Sequence, residues 1–490
     1  MHRPPCSRSN RCYLFSIGFS AKVAMALFRK LLWPLLLSIS FAVIAPAQPP
    51  PAAEPQTPSE YHITGAEAKE FFRSIDDILQ FASDHTGLPI RHPVKKQLAT
   101  REQVSKYVEK RMKEQGNGER FDRSAVSLKK LGLLPRDFNL REYMLALYKE
   151  QVEGWYDAHS KTVFLLDWVP PDVQKPVMAH ELVHALQDQS YDLEKWLNVR
   201  KDVKDDSGQM VIDEQRAARQ SVIEGQAMVV LFDYQLTPTG QTIESAPELV
   251  ASMRSSMLDE DSTPLYAKAP IYLREAMLFP YTYGTDFEIA VFTKRGKQAA
   301  FAGVLEHPPL DTHQIMEPAA YLSHEPQTQI KVAPLEKLLG SGWRREDFSG
   351  LGEIDLRVIL RQWGGPKIAA QLAPAWRGGY YMTLSSKKAP NDAPVPLALV
   401  VNFATPTAAN QFGTLYESEL PRRYKSVQPG KFPHQWSTEE GIVCLYIEGT
   451  SAIALESFSP DDAAKLHAAL IAAAPKPNET ATGMGAPYLP

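Results

Sequence analysis

The chain has 490 residues, 44% of them hydrophobic and 22% charged, and a net charge of −4. That length exceeds one ordinary hydrophobic core and predicts two domains of a globular protein. The near-neutral balance, with no long basic run, excludes nucleic acid as an expected partner.

Residues 1–47 read as a signal region. Within it, 25–47 has the three parts of a secretory signal peptide: basic Arg29-Lys30, an apolar run from Leu31 to Ile44, and small residues at Ala45 and Ala47. The apolar run is too short for a comfortable membrane span. The expectation is therefore export to the periplasm or the extracellular space, with no stable membrane anchor after cleavage. Cys6 and Cys12 precede the cleavage point, so Cys444 alone remains and no internal disulfide is expected. Residues 48–60 form a Pro-rich linker.

From 61 the texture is helical. Phe71, Phe72, Ile75, Ile78, Leu79 and Phe81 recur at helical spacing, and Thr100-Arg-Glu-Gln103 has the form of a capping box before a second helix. A further helix is expected over 140–151. The period then changes: 154–157 and 162–166, joined by the turn-like 158–161, read as a β-hairpin. Pro170-Pro171-Asp172 opens a helix with proline where a missing N–H does no harm. Residues 195–210 are charged and loop-like, and a long apolar helix is expected over 213–234. More helices are expected at 245–260, 267–279 and 286–305, broken at Phe279-Pro280-Tyr281-Thr282-Tyr283-Gly284, with a loop at 307–313. From about 350, strands at 380–384, 397–403, 442–447 and 452–457 and helices at 353–362, 407–418 and 460–472 predict one sheet with helices on one face. The expected architecture is α+β: a mostly helical domain over 61–345 with a small β-hairpin or sheet, then a smaller α+β domain over 350–473. Residues 474–490 read as a disordered tail.

The chemistry is concentrated in the helix that follows the hairpin. His180-Glu181-Leu182-Val183-His184 has the form His-Glu-x-x-His. On a helix, residues four apart share a face, so His180 and His184 can offer nitrogens to one metal ion while Glu181 stands beside it. Two imidazoles and one further ligand leave Zn²⁺ an open position, the arrangement of a catalytic site. Gln187 and Ser190 stand where a three-histidine class would need glycine and histidine. A downstream carboxylate is the remaining choice for third ligand. Glu224 is favoured because a lone carboxylate in an apolar helix is costly unless paired or metal-bound, and Gly225 beside it permits close helix approach. Asp213, Glu214 and Asp286 are the alternatives. Glu181 is the expected general base. Tyr281, Tyr283, His307 and His313 are candidates by residue type for stabilising an oxyanion, and Asp188 for orienting an imidazole. The hairpin before the motif helix offers an edge to which an extended peptide can add as another strand.

The run His180-Glu-Leu-Val-His184-Ala-Leu-Gln-Asp188 resembles the zinc helix of the gluzincins, the thermolysin-like metallopeptidases. Val222-Ile-Glu224-Gly-Gln-Ala227 is similar to the glutamate helix of secreted bacterial members, and the Pro280-Tyr-x-Tyr-Gly284 and Pro308-Pro-x-Asp-Thr312 segments are similar to downstream stretches of one such branch. The resemblance covers roughly 140–320. It implies a zincin-like fold in the first domain, one Zn²⁺ held by His180, His184 and Glu224, Glu181 as catalytic base, and a peptide or protein substrate. Two features depart from the group: the gap from His184 to Glu224 is longer than usual, and Met228 stands where an aspartate is found. A catalytically silent zincin-like scaffold, and a zinc hydrolase of a cell-wall amide, are the competing readings. The intact Glu181 favours the peptidase.

Overall fold

The computed structural model describes residues 61–114, 117–198, 205–257, 263–328, 330–390 and 392–474. The signal region, the Pro-rich linker and 475–490 of the expected tail lie outside the described residues, as does 199–204 of the charged stretch. Among the described residues no helix is long and apolar enough to cross a membrane.

The first element is α1 (Gly65–Thr86), opened by a capping box of Thr64 and Glu67 and closed at Gly87 with φ 74°. Next come β1 (Lys95–Ala99), α2 (Arg101–Glu114), α3 (Asn117–Lys130) and α4 (Leu140–Gln151). The expected hairpin is present as β2 (Trp155–Asp157) and β3 (Thr162–Leu166), paired antiparallel. β1 adds parallel to β3, giving the order β1-β3-β2. β1 escaped the sequence reading because Lys-Lys-Gln-Leu-Ala carries almost no apolar alternation and buries only Ala99.

α5 (Pro171–Tyr191) is the motif helix and is buried almost all round from Pro176 to Asp188. α6 (Asp206–Leu236) runs beside it and starts seven residues before the expected 213. The charged start is helical because Asp205 caps it, accepting from Gly208 N at 2.8 Å. Arg345 then grips Asp206 through both carboxylate oxygens at 2.7 Å. α7 (Ile271–Gln298) passes straight through the segment 279–284 that reads locally as a break. The physical reason is tertiary. Gly225 of α6 and Gly284 of α7 meet backbone to backbone, and a Cβ on Gly225 would lie 2.2 Å from Gly284 O. Packing of that closeness outweighs the helix-breaking preferences of Pro280 and Gly284. α7 breaks instead at Gly296, where φ is 80°, and a π-helical turn follows at Ala299–Gly303.

The C-terminal part is a seven-stranded antiparallel sheet of order β4-β5-β6-β10-β9-β8-β7. Its strands are β4 (Trp343–Gly350), β5 (Trp376–Ser386), β6 (Leu397–Phe403), β7 (Val427–Pro429), β8 (Gln435–Thr438), β9 (Gly441–Glu448) and β10 (Ser451–Phe458). Helices cover both faces, not one. Leu399, Val401, Ala452 and Ala454 pack with α8 (Glu353–Gly364) and α9 (Pro406–Arg423). Val400, Ile453 and Leu455 pack on the other side with Leu466 and Leu470 of α10 (Pro460–Ala473). β6 reads Leu-Ala-Leu-Val-Val-Asn-Phe and is buried at every position, as a doubly covered strand must be.

The first of these cores runs without interruption from α1 to α9, so the helical part and the sheet share apolar contacts. A buried ionic knot reinforces the junction. Glu456 of β10 accepts from Arg423 at 2.5 Å and from Tyr424 at 2.5 Å, with Tyr416 also bonded to it and Lys130 of α3 at 3.7 Å. Burial alone would raise the Glu456 carboxyl, yet Arg423 and Lys130 hold it below its ordinary range.

Two substitutions test this framework by urea unfolding. Gly284→Ala must force α6 and α7 apart and should cost about 3 kcal/mol or more. Glu456→Gln leaves Arg423 buried without its counter-charge, while Lys130 keeps Glu440 at 2.6 Å, and should cost roughly 3–5 kcal/mol. A loss under about 1 kcal/mol in either would contradict the corresponding contact.

Candidate metal centre

The helical spacing of α5 sets the His180 and His184 rings edge to face, with centroids 4.7 Å apart. α6 packs alongside α5, and Glu224 completes a triangle with the two imidazoles. His180 Nε2 lies 3.1 Å from His184 Nε2 and 3.2 Å from Glu224 Oε2, and His184 Nε2 lies 3.4 Å from the same oxygen. Among the described residues this is the group of side chains able to share one metal ion. The separations fit such an ion closely. Donors at about 2.0–2.1 Å from a tetrahedral centre stand about 3.3 Å from one another.

Burial makes the arrangement costly unless it is filled by charge. Glu224 has 0% of its surface exposed, and the remaining bond to it is from Gln220 Nε2 at 2.7 Å. Arg219, five residues before Glu224 on the same helix, lies over the Trp196 ring. Burial would raise the Glu224 carboxyl, but the two imidazoles hold it well below the usual carboxylate range. Burial alone would lower His184; Glu224 and Glu181 outweigh it and push that imidazole up to about 9. At His180 burial dominates and the shift is downward. The balancing positive charge can be a proton on His184 or a metal ion, so binding the ion releases a proton.

Glu181 is buried beside the three donors but is not one of them. Its Oε2 accepts from Tyr156 N of β2 at 2.8 Å, and its Oε1 is buried with no hydrogen-bond partner. Burial pushes this carboxyl up to about 7, against the pull of His184. Such a group can take up and release a proton near neutrality.

The other expected residues are distributed unevenly. Tyr281 stacks near His180, with ring centroids 6.2 Å apart. Tyr283 packs against Phe279 and lies under Arg357. His313 bonds Glu353 at the start of α8, at 2.5 Å. His307 closes the short helix before its loop, where its carbonyl accepts from Tyr321. Of the four oxyanion candidates, Tyr281 is thus the one brought beside a histidine of the triangle. Asp213 is bonded by Gln209, Glu214 by Thr312 and Asp286 by Arg254, so none of these carboxylates belongs to the triangle. Asp188 orients no imidazole. It accepts from Tyr156 Oη and Lys161 Nζ, each at 2.7 Å, because its side chain turns toward the hairpin. The imidazole is held by Gln187, whose Oε1 lies 2.9 Å from His184 Nδ1. That role was missed because a glutamine one turn past the motif carries no charge to draw attention; its only signal was its position on the ligand face.

A mainly apolar cavity of about 80 Å³ lies where α3, α4, α6, α7, α8 and the sheet meet, lined among others by Phe121, Met144, Phe279 and Ile354. Its wall includes Gln220, which bonds Glu224, and Pro280, which precedes Tyr281. No family model matches the chain, and neither a curated protein nor a solved structure is found similar to it.

The loop 307–313 docks onto α6 upstream of Glu224. Thr312 Oγ1 donates to Glu214 at 2.7 Å, and Asp311 caps the short helix Thr312–Met316 by accepting from Gln314 N at 2.9 Å. Burial, and secondarily Glu214, push the Asp311 carboxyl up to about 6. A carboxyl raised by folding stabilises the fold at pH values below its unfolded pKa, and that contribution is lost as pH rises through 6. Asp311→Asn keeps the cap without the titration. Relative to this variant, the wild type should lose roughly 2–3 kcal/mol of stability between pH 4 and pH 8. Parallel unfolding curves at the two pH values would refute the assignment.

Proposed function

We propose that this chain is an exported zinc metallopeptidase of the gluzincin type, with a zincin-like catalytic domain. One observation carries the reading: three buried donors at the spacing of a tetrahedral face, with the Glu181 carboxyl beside them and one of its oxygens unpartnered. His180, His184 and Glu224 would hold the ion. When bound there, Zn²⁺ supplies Lewis-acid activation of a water and polarisation of the scissile carbonyl.

The chain's own residues supply the remainder. Tyr156 N–H fixes one oxygen of Glu181, leaving Oε1 to take the proton of the attacking water and pass it to the leaving amine. β2 is an edge strand. Because Tyr156 N turns away from β3 toward Glu181, the carbonyl of the same residue faces the free edge too. It can accept an N–H from an extended peptide laid along β2, which sets the scissile bond near Glu181. The apolar cavity beyond Gln220 suits a bulky apolar side chain of that peptide. Tyr281, whose ring lies near His180, would meet the developing oxyanion. Export rests on the signal-like segment 25–47.

The test is metal analysis of the mature chain together with cleavage of a mixed-peptide library. One zinc per chain is expected, and Glu224→Ala should lose it. Glu181→Gln should keep the zinc and lose about 10²–10⁴-fold in cleavage rate. A wild type without zinc removes the metal centre, and a Glu181→Gln variant that cleaves as fast as wild type removes the mechanism.

A further inference from the structure

His184 can ligate a metal through Nε2 only if its other nitrogen, Nδ1, carries the hydrogen. The partner of Nδ1 is Gln187 Oε1, and an amide can face an imidazole with either its oxygen or its nitrogen. What decides the matter lies further away. Gln187 Nε2 donates to Gln226 Oε1 at 2.8 Å and to Ile223 O at 3.2 Å. Gln226 Nε2 in turn donates to Ala300 O at 2.9 Å and Phe301 O at 3.0 Å. Both glutamines have 0% of their surface exposed, so water cannot substitute for a missing partner.

We infer that Gln226, acting through Gln187, is a positioning residue that fixes the tautomer of His184. Backbone carbonyls only accept, so Ala300 O and Phe301 O oblige Gln226 to present its nitrogen to them and its oxygen to Gln187. Gln187 must then donate to Gln226 and Ile223, and its oxygen is left for His184. Every link has one direction, and the last leaves Nδ1 protonated and Nε2 bare. The anchor is the π-helical turn Ala299–Gly303, which offers two successive carbonyls to one amide. Glu288 is fully buried beside the Gln226 amide, where burial pushes its carboxyl up. His180 has no such support: its Nδ1 is buried without a partner.

The inference rests on the proposed metal centre, and two measurements separate them. The first is the ¹⁵N histidine spectrum of the metal-free wild type, followed to pH 10; a hydrogen on Nδ1 of the neutral His184 ring is expected. The second is zinc affinity. Gln226→Met, of similar shape but without donor or acceptor, should weaken zinc binding about 10–100-fold in protein that circular dichroism shows to be still folded. Gln187→Met should do the same, which covers the case that one variant fails to fold. A hydrogen on His184 Nε2 overturns the inference, as does zinc affinity within twofold of wild type in both variants. A wild type that binds no zinc but keeps its hydrogen on Nδ1 overturns the metal centre and supports the relay.

Discussion

The crossing of α6 and α7 at two glycines governs the molecule. A side chain at Gly225 or Gly284 would drive its Cβ to within about 2 Å of the opposite backbone, so the two helices meet at the closest separation that peptide groups allow. Glu224 precedes one of these glycines and Tyr281 lies three residues before the other. The contact therefore fixes Glu224 and Tyr281 relative to each other. Gln226, on the other side of Gly225, is held against the π-helical turn that follows α7. The candidate site thus depends on two packings, of α6 on α7 at the glycines and of α6 on α5, which supplies the imidazoles.

Buried carboxylates recur in this protein, and they are satisfied in two distinct ways. Glu456 is surrounded by a complete set of permanent partners, Arg423, Lys130, Tyr416 and Tyr424, and the result is a rigid link between the helical part and the sheet. Glu224 has only imidazoles and one amide. Imidazoles can yield a proton at accessible pH whereas a guanidinium cannot, so the second arrangement can exchange its proton for a metal ion and the first cannot. The chemistry of the two sites follows from that difference in partner pKa.

Much of the candidate site was legible in the residues. The spacing of His180, Glu181 and His184 places two donors on one helical face, and a lone glutamate amid Val222, Ile223, Ala227 and Met228 signals a carboxylate with an unusual partner. The strands β5, β6, β9 and β10 showed in their β-branched and apolar runs. Other features left little trace. β1 is polar, α7 crosses a proline and a glycine that read as a break, and Gln187 and Gln226 are neutral amides without a motif. The covering of both sheet faces was written in the apolar run Leu397–Val401 of β6, yet this run is also compatible with a single covered face until its partners are known.

Local rules therefore determined whatever depends on one helix or one strand: the pair of histidines, the adjacent carboxyl, the hairpin, the capping box at Thr100. Only the tertiary structure decided what depends on two elements meeting. Which carboxylate joins the histidines, which of four aromatic or histidine candidates stands beside them, and which way the glutamine amides point are all set by contacts between residues far apart in the chain. The physical reason is that periodicity assigns a side chain to a face, while the partner on that face is chosen by how closely two backbones can approach.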